Sequence, residues 1–341
     1  MKHTVKWGII GLGNIASEFA KSFINVDNAN LIAVASTSHK KLAKFKEEFN
    51  IKDENLYDHY ENLIENKDID VVYIALPNTL HFNWILKNVE KNKNILVEKP
   101  AFLNSKEAEI IFNHRNFKNI FFNEGFMYRY HPQIMEVIKI IRSKIIGNPI
   151  SMKSNFGINL INKKKIFGLI KKRIDKNNRL FNKELGGGAI FDLGCYTTSM
   201  SLLIASLIEN MNSNNFTISD IKTQYLDSNI DIHSSAKIIF DNIFTSEIKT
   251  SFKENFSKTI IICEEGKIII NNSWNANVTE IELVGKINKK IEFESSRNNY
   301  SLEIEQISKD ILEDKKEVSF PGINKKDTLV NTKLIEIWVN G

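Results

Sequence analysis

Residues 5–16, Val-Lys-Trp-Gly-Ile-Ile-Gly-Leu-Gly-Asn-Ile-Ala, restrict what this chain can fold into more than any other stretch. The apolar run at 5–10 reads as a buried strand, breaks at Gly11-Leu12-Gly13, and is followed by an amphipathic helix over about 14–24. Gly11 permits the tight turn, Gly13 lets backbone N–H groups reach a pyrophosphate, and Ala16 lets the helix lie close to the strand. Asn14 and Ile15 open that helix, whose unpaired N–H groups and positive dipole end suit phosphate. Alone, Gly-x-Gly-x-x-Ala is a weak signal. Placed at the first strand, with strand–helix repeats behind it, it points to a dinucleotide site.

Those repeats follow in order. Apolar strands are expected at 31–36, 70–76, 94–97 and 119–122, separated by helices at 40–49, 79–92 and 105–114. Continuous apolar strands alternating with helices imply a doubly wound parallel sheet covered on both faces. Ligands of such sheets sit at the carboxyl ends of the strands. Leu76, Pro77, Asn78 and His81 lie just past one of those ends, and Glu98, Lys99 and Pro100 past the next, so all but Pro100 are taken as cofactor contacts. The end of the second strand indicates which cofactor. It offers Ser36, Thr37, Ser38 and Lys41 and no carboxylate. Hydroxyls and cations suit a ribose 2′-phosphate, so NADP is expected ahead of NAD. Ser38 is also placed to cap the next helix.

Two groups of residues carry chemistry. Lys99, fixed by Pro100 at the sheet edge, is a donor to a substrate oxygen. The second is Gly186-Gly187-Gly188 leading into a helix that runs to about Ala205, with Asp192 and Tyr196 four positions apart and therefore on one face. A phenol there can pass a proton to or from a substrate hydroxyl while hydride moves to or from a nicotinamide, with the carboxylate orienting the substrate. The plainer alternative makes Asp192 a local cap and Tyr196 core filler.

Composition excludes other classes. Across 341 residues, 46 basic and 41 acidic side chains leave a net charge of +5, too mild to argue for nucleic acid. Cys195 and Cys263 lack metal-type spacing and fit a reduced compartment, and His59, His81, His114, His131 and His233 form no ligand-spaced cluster, so no metal is expected. The first strand begins within a few residues of Met1, leaving no room for a signal peptide, and no apolar run is read as spanning a bilayer. A cytoplasmic protein without a membrane partner is expected.

The glycine turn, Glu98-Lys99-Pro100 and Asp192-x-Gly-x-Tyr196 together resemble the glucose–fructose oxidoreductase/inositol dehydrogenase/MocA family. Residues 124–133 (Glu-Gly-Phe-Met-Tyr-Arg-Tyr-His-Pro-Gln), 76–81 and Asn299-Tyr300-x-x-Glu303 resemble its branch of dimeric dihydrodiol dehydrogenases and NADP-dependent D-xylose dehydrogenases. The resemblance spans nearly the whole chain. It implies an N-terminal Rossmann domain over 1–123 and, over 124–341, a substrate-binding and dimerisation α+β domain with an open mixed sheet. It implies that Lys99 and Tyr196 are the catalytic pair and that Asp192 contacts substrate, with Tyr128, Arg129 and Arg179 as further candidate contacts. Tyr196 stands where the inositol branch carries histidine. The implied function is NAD(P)-dependent hydride transfer to or from a sugar carbon in a homodimer paired through the C-terminal sheet.

Strands of that second sheet are expected at 236–240, 244–250, 259–263, 267–270 and 280–284, and a helix at 325–339. One stretch departs from the branch. Residues 162–179 are long and basic, with Lys163, Lys164, Lys165, Lys171, Lys172 and Arg173, and lead straight to the Asp192 turn. They read either as a solvated loop or as a lip for the phosphates of a nucleotide-linked keto sugar. A non-catalytic NADP-binding regulator is the more distant alternative.

Overall fold

The computed structural model describes residues 4–161, 164–165, 170–171, 178–226, 229–274, 279–294 and 297–341. Two compact units result, residues 1–130 with 297–329 and residues 131–296 with 330–341. The chain thus passes between units at 130/131, 296/297 and 329/330, where the expectation drew one division at 123/124.

In the first unit, β1 (Val5–Ile10), β2 (Ala29–Ala35), β3 (Leu56–Tyr57), β4 (Val71–Ile74), β5 (Asn94–Glu98) and β6 (Phe122–Gly125) form one sheet. Its order is β3-β2-β1-β4-β5-β6 and every pairing is parallel. The connecting helices are α1 (Asn14–Lys21), α2 (His39–Phe49), α3 (Tyr60–Glu65), α4 (Asn78–Glu90) and α5 (Ser105–Phe112). Successive side chains of a strand point to opposite faces. Val71 and Tyr73 accordingly enter one core with Trp7, Ile9 and Phe19, while Val72 and Ile74 enter the other with Ile85, Val97 and Ile111. Strand order reverses between β1 and β4, the switch point at which a doubly wound sheet opens a crevice. The strand expected at 119–122 begins only at Phe122, because Phe117–Asn119 closes a 3₁₀ turn and the strand's own Asn123 and Glu124 are buried polar residues.

The second unit holds a mixed sheet of β7 (Pro149–Gly157), β10 (Phe216–Tyr225), β11 (Asp231–Phe240), β12 (Phe244–Ser251), β13 (Thr259–Cys263), β14 (Gly266–Ile270), β15 (Thr279–Gly285) and β16 (Lys289–Phe293). The order is β10-β11-β12-β7-β13-β14-β15-β16, with β12 and β7 parallel and the other pairs antiparallel. A separate ribbon joins β8 (Lys164–Lys165) to β9 (Ile170–Lys171). The helices α6 (Pro132–Ser143) and α7 (Cys195–Ala205) lie in this unit, and every residue of α7 is buried. The helix α8 (Asn299–Leu312) returns to the first unit, and α9 (Lys325–Asn340) begins there and continues in the second. Contrary to the expectation of no such run, Lys183–Ala205 is long and apolar enough to cross a membrane, with mean hydropathy 1.3. Its apolar window is 89% buried within the protein, as befits a core helix.

Candidate active site

In the first unit the glycine turn has the geometry its sequence requires. Gly11 adopts φ +87°, and a β-carbon there would stand 2.7 Å from the Ala75 carbonyl oxygen. Gly13 caps α1, and a β-carbon on it would meet nothing within 4 Å. Ala16 is fully buried against the sheet, Asn14 and Ile15 are exposed, and the first turn of α1 carries no acidic residue. An open cradle at a positive helix end fits a dinucleotide pyrophosphate.

Past β2, Ser36 is buried, and its Oγ accepts from the Ser38 N–H at 3.2 Å. Ser38 occupies the cap position of α2 but makes no side-chain capping bond. Thr37 and Lys41 are exposed. Past β4 and β5 two loops are tied together by His81 of α4, which is fully buried. Its Nδ1 lies 2.8 Å from the Pro100 carbonyl oxygen and its Nε2 2.9 Å from that of Leu76. Leu76 and Pro77 are half-buried and Asn78 is buried.

Beneath Lys99 lies a layer of buried acids. The Tyr73 hydroxyl donates to Glu98 Oε1, and the Lys99 backbone N–H donates to Glu98 Oε2 at 3.3 Å. Glu124 of β6 accepts from the Ala101 N–H at 2.9 Å. Burial pushes the Glu124 carboxyl up to about 7, although the Ala101 N–H and the charges of Arg129 and Lys99 favour its ionised form. Burial, reinforced by Glu98, also holds Glu303 of α8 well above the usual carboxylate range. Tyr128 and Arg129 are buried, and the Arg129 guanidinium donates to the Pro321 carbonyl at 3.1 Å. Lys99 itself is half-buried.

In the second unit the glycine triplet does not open directly into an α-helix. Residues Ile190–Gly194 form a π-helical turn, and α7 starts only at Cys195. Such turns insert an extra residue into a helix and recur at functional sites. Asp192 sits in this turn and Tyr196 in the first turn of α7. Arg179 donates to Asp192 Oδ1 at 3.2 Å; its side chain is 49% exposed, that of Asp192 only 14%. Tyr196 is 5% exposed and packs edge-on against Phe156 (5.2 Å between ring centroids) and Trp274 (5.7 Å). Phe156 and Trp274 stack on each other at 5.3 Å. The side chains of Lys163, Lys164, Lys165, Lys171, Lys172 and Arg173 lie outside the described residues. The aromatic box and the buried acids were not anticipated, since both depend on which strands become neighbours. Among the described residues, no group of three or more His, Cys, Asp or Glu side chains could hold a metal ion.

Comparison with known proteins agrees with this geometry. Residues 5–122 match the model of an oxidoreductase family with an NAD-binding Rossmann fold, GFO_IDH_MocA. The chain is 32% identical over 202 residues to a trans-1,2-dihydrobenzene-1,2-diol dehydrogenase of Xenopus tropicalis, covering 58% of this chain and 56% of that protein. This chain thus spans little more than half the length of that relative. It is 25% identical over 274 residues to D-xylose 1-dehydrogenase (NADP(+)) 2 of Haloferax volcanii, covering 80% and 78% of the two chains. In fold it superposes on a 3-ketoreductase from Actinomadura kijaniata, solved with NADP and TDP-benzene, with TM-score 0.81 at 19% identity over 98% and 96% of the chains. The glycine turn and the parallel sheet with order reversal beside it agree with the match of residues 5–122 to the NAD-binding Rossmann fold of that oxidoreductase family.

Proposed function

We propose that this protein is an NADP-dependent oxidoreductase acting on a CH–OH group of a sugar. The observation that carries the reading is the open cradle at Gly13, at a helix end without acidic residues, in a parallel sheet whose β5 runs straight into Lys99. A bound nicotinamide supplies or takes the hydride at its C4 carbon. Lys99 and Tyr196 are the proposed catalytic pair. The Tyr196 phenol gives or takes the proton of the substrate hydroxyl, and the Lys99 ammonium donates to the same oxygen and favours its charged form. Asp192, steadied by Arg179, accepts hydrogen bonds from neighbouring sugar hydroxyls. The box of Phe156 and Trp274 keeps water from the phenol and presents an apolar wall to the sugar ring.

Ser38 and Lys41, with Ser36 and Thr37 shaping the turn, are the proposed ribose 2′-phosphate contacts. Leu76, Pro77, Asn78, His81 and Glu98 shape the nicotinamide half of the crevice; Tyr128 and Arg129, expected as substrate contacts, are 0% and 1% exposed, which favours a supporting role within the core instead. A homodimer paired through the second sheet, in a cytoplasmic setting, completes the reading. Ile260 and Ile262 of β13 share an uncovered face with the Lys153–Glu247 ion pair, which supports that pairing. A screen of NADP and NADPH turnover against monosaccharides tests the function; no turnover with any of them argues against it.

A second reading, reduction of a keto sugar attached to a nucleotide, is favoured by Arg179. Its guanidinium is half exposed beside Asp192 and follows the basic stretch, and the ketoreductase fold likeness was solved with a TDP ligand. Turnover of dTDP- or UDP-linked keto sugars that falls with Arg179→Ala supports it.

A further inference from the structure

The π-helical turn that carries Asp192 is held from outside by a carboxylate. Asp231, the first residue of β11, is 7% exposed, and its Oδ2 accepts from the Ile190 N–H at 2.7 Å. The chain is cleared to admit it. Gly188 adopts φ +119°, and a β-carbon there would stand 2.0 Å from Asp231 Oδ1. Two neighbours grip the same turn. The Thr250 hydroxyl of β12 donates to the Ala189 carbonyl at 3.0 Å. Trp338 of α9 packs where a β-carbon on Gly194 would come within 2.8 Å of its ring, and its indole N–H donates to Ser234 Oγ at 2.8 Å.

A helix start leaves its first N–H groups without intrahelical partners, and a side-chain oxygen commonly takes one of them. Here that oxygen comes from a strand far along the chain, so the orientation of the turn is set by the sheet. A π-helical turn that relaxes to α geometry gives up its extra residue, which rotates every side chain before the change relative to those after it. Asp192 lies on one side of that change and Tyr196 on the other. We propose that Asp231 is a positioning residue that holds the turn in π geometry, so that Asp192 and Tyr196 address one substrate together. The role rests on the sugar-oxidoreductase reading and concerns a turn of the second unit, whereas the glycine turn and Lys99 belong to the first. Burial raises the Asp231 carboxyl to about 6, with the Ile190 N–H favouring its charged form.

The test compares Asp231→Ala, Asp231→Asn and Gly188→Ala with the wild-type protein. Asparagine keeps an oxygen for the Ile190 N–H; alanine does not. Asp231→Ala and Gly188→Ala are expected to lower kcat for the sugar that the wild type turns over by about tenfold or more, since small misplacements of reacting groups cost that much. The NADP Kd, measured by calorimetry, is expected to stay within twofold, and Asp231→Asn to recover most of the loss. Unchanged kcat in Asp231→Ala, an NADP Kd that moves with kcat, or no recovery in Asp231→Asn overturns the proposal. A wild-type protein inactive on every sugar tried refutes the sugar reading alone. Hydrogen exchange at residues 189–196 then decides the positioning role: faster exchange in Asp231→Ala than in Asp231→Asn supports it, and equal exchange overturns it.

Discussion

His81 places its Nδ1 2.8 Å from the carbonyl oxygen of Pro100, the residue that follows Lys99. Its other ring nitrogen meets the Leu76 carbonyl, so one buried ring spans the loops after β4 and β5. Truncation to alanine removes both contacts, and the carbonyl that takes the ring N–H loses its donor at about 1–3 kcal/mol. His81→Ala is therefore expected to lower the urea midpoint and to raise the NADP Kd about tenfold. Calorimetry and urea titration check this; an unchanged Kd means the two loops keep their places without the ring.

The buried carboxyl of Glu124 makes stability depend on pH. Its folded pKa of about 7 exceeds the ordinary 4.5, so the folded state binds this proton more tightly than the unfolded chain does. Its contribution is present below pH 4.5 and is lost as pH rises through 7, a change on the order of 3 kcal/mol. Glu124→Gln removes that slope. Urea midpoints at pH 5 and pH 8 should differ less in the variant than in the wild type; parallel profiles contradict the account.

Cofactor choice is predicted to lie at the end of β2. Thr37 is exposed, and the turn from 36 to 38 carries no carboxylate. Thr37→Asp sets a negative charge against a ribose 2′-phosphate and provides an acceptor for a free 2′-hydroxyl. The ratio of NADP to NAD affinity is expected to fall by about tenfold or more, the size of one charged contact. A ratio unchanged in fluorescence titration moves the 2′ site elsewhere.

Much of the first unit was legible because its central strands are buried on both faces and read as unbroken apolar runs, as Val71–Ile74 does. The second sheet was harder to read. Its edge strands β10 and β16 are largely polar and partly exposed, and β7 turns Ser154 inward, where its hydroxyl meets Thr259 at 3.0 Å. α6 and α8 went unread, although Ile304, Ile307 and Ile311 of α8 recur at helical spacing. At the site, Asp192 and Tyr196 stood out as a carboxylate and a phenol behind three glycines. The π-helical turn, Trp274 and Asp231 left no local signal, because the pairing of distant strands brings them there.

The central claim is that one phenol and one ammonium act on the substrate oxygen. Its most direct test is steady-state NADP reduction by wild type, Tyr196→Phe and Lys99→Ala, with the best sugar found by screening. The account predicts kcat losses of roughly 10²–10⁴-fold in both variants, the usual worth of a positioned acid or base, with NADP still bound by Tyr196→Phe. Turnover within a few fold of wild type in either variant would contradict it.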